Sequence, residues 1–161
     1  KIIANLIAAR RSILEAAAAL PPEKQKEVFL GVWSVQDLLA HLVGWDYTNL
    51  QAAKEVLAGQ VPGFYAHYDR DWQTFNAGLV ARYKKEPFAN LLLSAEHSHQ
   101  ELLDFQKALP AEEFVRDRGV RSPRRRKVTI AMFIQAEASD EGKHCTQIKA
   151  FTEHSKPVQT T

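Results

Sequence analysis

The most informative stretch of the chain is residues 137–148, which reads EASDEGKHCTQI. On a helix, where successive side chains turn by about 100°, the apolar positions around this stretch centre near Glu137, with Glu141 and His144 close by. Asp140 lies toward one edge of the same face. A carboxylate buried without compensation is costly. The stretch therefore predicts a long helix of a helical protein, whose inward polar groups need a partner, water or a metal ion.

Helical periodicity continues through the rest of the chain. Pro21 and Pro22 end a first helix, and Ser34 with Asp37 three residues later resembles a capping box at the start of a second. The predicted main helices span 1–20, 34–57, 87–109 and 129–151 or beyond, with a shorter helix at 69–85, a loop at 59–68 and an extended piece at 115–120. We predict an all-α fold, a four-helix bundle with an extra short helix and long loops between the main helices.

Length and composition indicate one globular domain. The chain has 161 residues, of which 45% are hydrophobic and 25% charged, a composition that can bury a core. We expect a single domain at 1–154 and a flexible tail at 155–161. Cys145 is the only cysteine, so no intramolecular disulfide can form and a cytoplasmic location is expected. No run of about 18 apolar residues predicts a membrane span.

Positive charge is concentrated in one connection, although the net charge is only +2. The cationic residues of this connection are Arg116, Arg118, Arg121, Arg124, Arg125, Arg126 and Lys127. The stretch lacks interleaved aromatic residues, so a solvated loop is favoured and we expect no nucleic-acid partner. A third interpretation is that one or two of these arginines reach the mouth of the site and hold a substrate carboxylate.

The spacing of Asp140 and His144 is compatible with metal binding. Residues four apart lie one helical turn apart on one side and can converge on one ion. A third ligand must come from another helix, and His41 on the second helix is the best candidate, with His99 on the third helix as a reserve. The alternative for His41 is an ordinary hydrogen-bonded histidine at the edge of the buried stripe.

Two motifs resemble a known family. The segment at 33–45, WSVQDLLAHLVGW, resembles the second helix of the DinB-like four-helix bundles, which supplies the first histidine ligand. The segment at 144–148, HCTQI, resembles their fourth helix, where a histidine three residues before a Gln-Ile pair binds the metal and another ligand lies four residues earlier. The resemblance implies a zinc or nickel site made by His41, Asp140 and His144. Asp140 departs from the histidine or glutamate found at this position in the family.

The family includes YfiT-type metal-dependent hydrolases, thiol transferases and the mycothiol-dependent maleylpyruvate isomerase. The resemblance therefore implies a metal-dependent hydrolase or thiol transferase that acts on a small organic molecule, with a low-molecular-weight thiol as a second cofactor. Glu137 or Glu141 would act as general base, or would instead tune the site as ion-paired carboxylates. Cys145 points about 100° away from His144, so we expect it to pack in the core rather than act as a nucleophile.

The middle of the chain supports a different function. Residues 62–65, 71–76 and 94–103 look like the ClbS/DfsB branch, which is not reliably metal-dependent. The alternative is thus a metal-free small-molecule-binding or protective protein with Glu137, Asp140 and aromatic residues in its pocket. For the aromatic residues Tyr65, Tyr68, Trp72 and Phe75, a cover over one end of the bundle is favoured over a lid that faces substrate. A homodimer is expected by analogy with similar bundles.

Overall fold

The structure is a computed structural model that describes residues 1–68 and 71–154. Its elements are α1 (Ile2–Ala18), α2 (Pro22–Gln25), β1 (Val28–Leu30), β2 (Trp33–Ser34), α3 (Val35–Leu57), α4 (Tyr65–Tyr68), α5 (Trp72–Tyr83), α6 (Phe88–Ala108), α7 (Ala111–Val115) and α8 (Ile130–His154). The long helices α1, α3, α6 and α8 form the bundle, and α5 packs on α3. The predicted helical fold class is confirmed.

The start of α3 follows from local sequence. The Ser34 hydroxyl accepts a hydrogen bond from the Asp37 backbone N–H at 3.2 Å, and the Asp37 carboxylate accepts one from the Ser34 backbone N–H at 3.0 Å. This reciprocal capping box satisfies two donors that a helix start leaves open. Farther along, α5 approaches α3 at Gly44, where an added Cβ would lie 2.8 Å from Cβ of Leu79.

Most of the buried apolar residues form two clusters. The first contains Ile13, Ala17, Leu20, Val35, Leu38, Leu39, Ala40, Leu42, Val43, Val80, Leu91, Ala95 and Ile148. The second contains Ala52, Ala53, Val56, Val120, Val128, Ile130, Phe133 and Ile134. Along α3 and α8, buried polar residues fall between the segments that supply the two clusters. They are Asp46 and Asn49 of α3 and Glu137 and Glu141 of α8. We call these four residues, with Arg10 of α1 and Ser98 and His99 of α6, the polar layer.

Several connections differ from the prediction. A short antiparallel hairpin, β1–β2, precedes α3. The extended piece predicted at 115–120 begins with the last residue of α7, and strand-like pairing instead joins Arg121 with Lys127. Backbone pairing across short turns decides these segments, and strands of two or three residues are too short to show an alternating pattern.

Two further predictions concern the ends of the chain and membranes. The tail predicted at 155–161 lies outside the described residues, and the single domain at 1–154 stays a prediction. In the part of the chain that the structure describes, no helix is both long and apolar enough to cross a bilayer.

Candidate functional site

Arg10 is the centre of the polar layer, with only 2% of its surface exposed. Its Nη1 and Nη2 atoms donate to the two carboxylate oxygens of Asp46 on α3, each at 2.9 Å. Its Nε donates to Oε1 of Glu141 on α8 at 2.8 Å. The carbonyl oxygen of Ala95 on α6 accepts from Nη1 at 2.8 Å. One guanidinium group from α1 thus joins all four long helices.

The contacts of Arg10 keep it charged. Burial alone would lower the pKa of Arg10, but Asp46 and Glu141 outweigh this effect and raise it. Asp46 also accepts a hydrogen bond from the Ser98 hydroxyl at 2.5 Å. Opposite charges and hydrogen bonds together offset the cost of removing these groups from water. Arg10 and its two carboxylates therefore form a satisfied buried ion-pair network.

Glu137 is a buried carboxyl group that does not accept a hydrogen bond from Arg10. It lies one turn before Glu141 on α8, is 8% exposed, and neither of its oxygens has a hydrogen-bond donor among the described residues. Burial raises the pKa of Glu137 well above its usual range, and the charges of Asp46 and Glu141 raise it further. Glu137 therefore keeps its proton to a higher pH than an ordinary glutamate, and the protonated group can donate to Asp46.

A cavity of about 220 Å³ opens beside the polar layer. Aromatic side chains form one part of its lining, namely Trp45, Phe64, Tyr65 and Phe133. The Phe64 ring lies 5.8 Å from the ring of Trp45 and 6.2 Å from that of Phe133, both edge to face. Glu137 and its polar neighbours form another part. A concave, mostly apolar site with a few converging polar groups is typical of small-molecule binding.

The three predicted metal ligands, His41, Asp140 and His144, all line this cavity. The rings of His41 and His144 lie 5.4 Å apart, centroid to centroid, and nearly perpendicular. The Asp140 side chain is 63% exposed and lies 3.5 Å from the ammonium group of Lys143. The structure thus brings the two imidazoles together and places Asp140 at the outer edge.

The histidines of the site are neutral at pH 7. Burial lowers the pKa of His41 to about 3, helped by His144 and Arg10. Burial likewise lowers the pKa of His99 to about 4, helped by Arg10. The pKa of His144 is also lowered by burial, although Gln147 partly offsets the effect. Neutral imidazoles can accept hydrogen bonds or bind a metal ion.

A second group of potential ligands lies deeper than the predicted triad. Asp46, His99, Glu137 and Glu141 each offer a ligand atom, and these atoms all lie within 4.8 Å of one another. This donor set does not fit a metal ion, because Asp46 and Glu141 already bind the guanidinium group of Arg10. A divalent ion among the same carboxylates would lie beside a buried charge of like sign.

Sequence analysis missed Arg10 and Asp46 as site residues. Both could be recognised from helical spacing, because each places a charge on a stripe of buried residues. Arg10 follows Leu6 and precedes Ile13, all on the buried face of α1. Asp46 follows Leu42 by four residues on the buried face of α3. The interruption of an apolar stripe by a charge was the available signal.

The aromatic residues after α3 have different environments. Tyr65 lines the cavity, as does its neighbour Phe64. Phe75 packs on Trp45, with ring centroids 5.4 Å apart, whereas Trp72 is 54% exposed. The predicted role of the Tyr68 side chain lies outside what the structure describes. Tyr65 therefore belongs to the cavity wall, Phe75 supports that wall through Trp45, and Trp72 lies at the surface.

The arginines of residues 116–127 lie elsewhere. Arg116 and Arg118 pair with Glu113, and Arg121 pairs with Asp117. Among the described residues that line the cavity, none comes from 116–127. These arginines therefore do not hold a substrate carboxylate at its mouth.

The comparisons with known proteins agree with this architecture. Residues 5–148 match the family model of the DinB superfamily, and the chain belongs to this superfamily. A solved structure of an uncharacterised protein from Escherichia coli UTI89 has a TM-score of 0.76 at 13% identity, covering 96% of this chain and 92% of that one. The colibactin self-resistance protein ClbS, solved in complex with a double-stranded DNA, has a TM-score of 0.75 at 18% identity, covering 94% of each chain. No curated protein gives a significant match.

Proposed function

We propose that this chain binds a small organic molecule in the cavity without a metal ion, and that Glu137 exchanges a proton or hydrogen bond with that molecule. The observation that carries the proposal is the difference in hydrogen-bond partners among the buried carboxyl groups. Asp46 and Glu141 are both hydrogen-bonded to Arg10, whereas Glu137 faces the cavity with neither oxygen bonded to a donor among the described residues.

The raised pKa of Glu137 suits this role. A carboxylic acid that keeps its proton to a higher pH than usual can donate to a bound ligand, and its conjugate base can accept a proton in return. Glu141 differs, because the Arg10 guanidinium occupies its oxygens. We therefore assign Glu141 to the positioning of Arg10 rather than to general base catalysis.

Binding of benzyl alcohol to chelator-treated protein tests the proposal, with calorimetry as the readout. Ala136 is an exposed residue at the cavity lining, so Ala136→Trp should fill the entrance and abolish binding. Ser139→Trp places the same bulk on an exposed position of α8 away from the lining and should leave binding intact. Equal binding by the two variants would contradict this location.

A metal site of His41, Asp140 and His144 is the second candidate. Nδ1 of His144 lies 2.8 Å from Oε1 of Gln147, which favours an Nδ1–H tautomer and leaves Nε2 as the lone-pair donor. Nδ1 of His41 is buried and has no hydrogen-bond partner in the described part of the chain. Each of these two nitrogens offers a lone pair to a metal ion, and Asp140 would be the third ligand, from the exposed edge of the cavity.

A bound zinc or nickel ion would activate a water molecule for a hydrolase reaction, or a low-molecular-weight thiol for a thiol transferase reaction. Elemental analysis after zinc or nickel loading tests this candidate. It predicts one bound ion in the wild type and loss of that ion in both His41→Ala and His144→Ala. Wild-type protein that stays metal-free would exclude it.

Three expectations about partners and location remain proposals. The DNA in the ClbS structure weakens our expectation that this chain has no nucleic-acid partner. The exposed cations at 124–127 are the surface to examine, in a shift assay with duplex DNA at increasing salt. The homodimer and the cytoplasmic location stay predictions.

A further inference from the structure

We infer that the ligand of the cavity is a small organic cation, an ammonium compound with an apolar body. This inference rests on the proposed binding site and adds the chemical class of its ligand. Three features of the lining lead to it: an excess of carboxyl groups, an aromatic wall, and a Glu137 side chain whose oxygens accept from no donor among the described residues.

The first feature is the charge balance of the lining. Its carboxyl groups are Asp46, Glu137, Asp140 and Glu141, and its guanidinium group is that of Arg10. Arg10 divides its donors between Asp46 and Glu141. Even with Glu137 protonated, two carboxylates face one guanidinium in the buried part of the site. The network is therefore one positive charge short of neutral, and a cationic ligand would supply it.

The second feature is the aromatic wall. Phe64 is its central ring, with its centroid 4.5 Å from that of Tyr65 and 5.8 Å from that of Trp45. Aromatic faces attract an ammonium group through the ring quadrupole, most strongly where water is excluded. The same rings give apolar contact to the body of the ligand. This wall favours a cation with an apolar body over a fully hydrated inorganic ion.

The third feature is Glu137, which is nine-tenths buried and has no donor among the described residues. An ammonium group would donate to the Glu137 oxygens and favour the ionised form of the carboxyl group, so that charge-assisted hydrogen bonds form. An anionic ligand would meet the carboxyl groups and, within the described lining, only a cation that is already paired, Arg10. The arrangement thus selects against anions as well as for cations.

Three compounds of similar size, one cationic, one neutral and one anionic, test the inference. Benzylamine, benzyl alcohol and benzoate are titrated into the chelator-treated protein at pH 8. At this pH the amine is still mostly protonated. We expect benzylamine to bind at least about tenfold more tightly than benzyl alcohol, and benzoate to bind most weakly. Benzyl alcohol binding as tightly as benzylamine would overturn the inference and leave the proposed binding site intact. No binding by any of the three would overturn both.

Substitution of Glu137 separates charge from shape. Glu137→Gln retains the size of the side chain, and we expect it to reduce the preference for benzylamine over benzyl alcohol by roughly tenfold. Glu153→Gln removes an exposed carboxylate from the same helix and should leave the preference unchanged. An unchanged preference in Glu137→Gln, or the same loss in Glu153→Gln, would overturn the inference.

Discussion

Arg10 and Glu141 lie 131 positions apart in the chain, and their side chains form a buried ion pair with Nε of Arg10 2.8 Å from Oε1 of Glu141. The pair joins the first and last helices of the bundle at the floor of the cavity. Asp46 binds the same guanidinium group. Asp46 and Glu141, which belong to the buried group of potential metal ligands, are therefore already paired with a cation. The predictions below follow from this network and from the packing around it.

Removal of the Arg10 guanidinium should strongly destabilise the protein. Arg10→Met retains much of the aliphatic volume but leaves Asp46 and Glu141 as buried unpaired carboxylates, so we expect a loss of roughly 3–5 kcal/mol in the free energy of unfolding. Urea denaturation measures this loss. Arg11→Met, at the exposed neighbouring position, should change stability by no more than about 0.5 kcal/mol. Similar losses in the two variants would contradict the network.

Glu137→Gln should become more stable relative to the wild type as pH rises. The pKa of Glu137 is raised in the folded state, so folding takes up a proton above the unfolded pKa of about 4.3 and the wild type loses stability as pH increases. Glutamine does not ionise and avoids this loss. The difference in melting temperature between variant and wild type should therefore grow in favour of the variant as pH rises above the unfolded pKa of about 4.3. A constant difference would show that Glu137 has an ordinary pKa.

Acid should destabilise the fold through its buried histidines. Burial lowers the pKa of His41 to about 3 and that of His99 to about 4. The unfolded chain binds these protons first, so stability falls as pH drops from about 6.5 toward 4. His99→Gln should flatten this decline in urea denaturation. His97→Gln, at an exposed position of the same helix, should leave its slope unchanged.

The contact of α3 with α5 gives a test of packing alone. A Cβ at Gly44 would lie 2.8 Å from Cβ of Leu79, so Gly44→Ala should cost about 1–3 kcal/mol of stability. At Gly78, within α5, no atom outside the local helix lies within 4 Å of such a Cβ. Gly78→Ala should therefore stabilise the protein, by up to about 1 kcal/mol. Thermal denaturation of the two variants should shift in opposite directions.

Local sequence predicted the main helices because their signals are local. Ser34 and Asp37 placed the start of α3, and apolar spacing identified the four long helices. The β1–β2 hairpin was not recognised, since its pairing is set by the chain on both sides of a turn. Helix periodicity also placed Glu137 and Glu141 on the buried face of α8, as the structure has them.

The pairing of Arg10 with Asp46 and Glu141 could not be predicted in the same way. Arg10 meets Asp46 and Glu141 across separations of 36 and 131 residues, which no local pattern encodes. The family motif instead directed attention to Asp140, whose side chain is exposed at the cavity edge. Whether it binds a metal ion with His41 and His144 stays a prediction.

Titration of benzyl alcohol into chelator-treated protein, before and after addition of one equivalent of zinc, tests the central claim most directly. The cavity is proposed to bind small organic molecules without a metal ion, because Arg10 already pairs with the carboxylates beneath it. The account predicts binding with the same affinity in both titrations of the wild type, and binding by His144→Ala that does not depend on zinc. Binding that occurs only after zinc is added, and that His144→Ala abolishes, would contradict it.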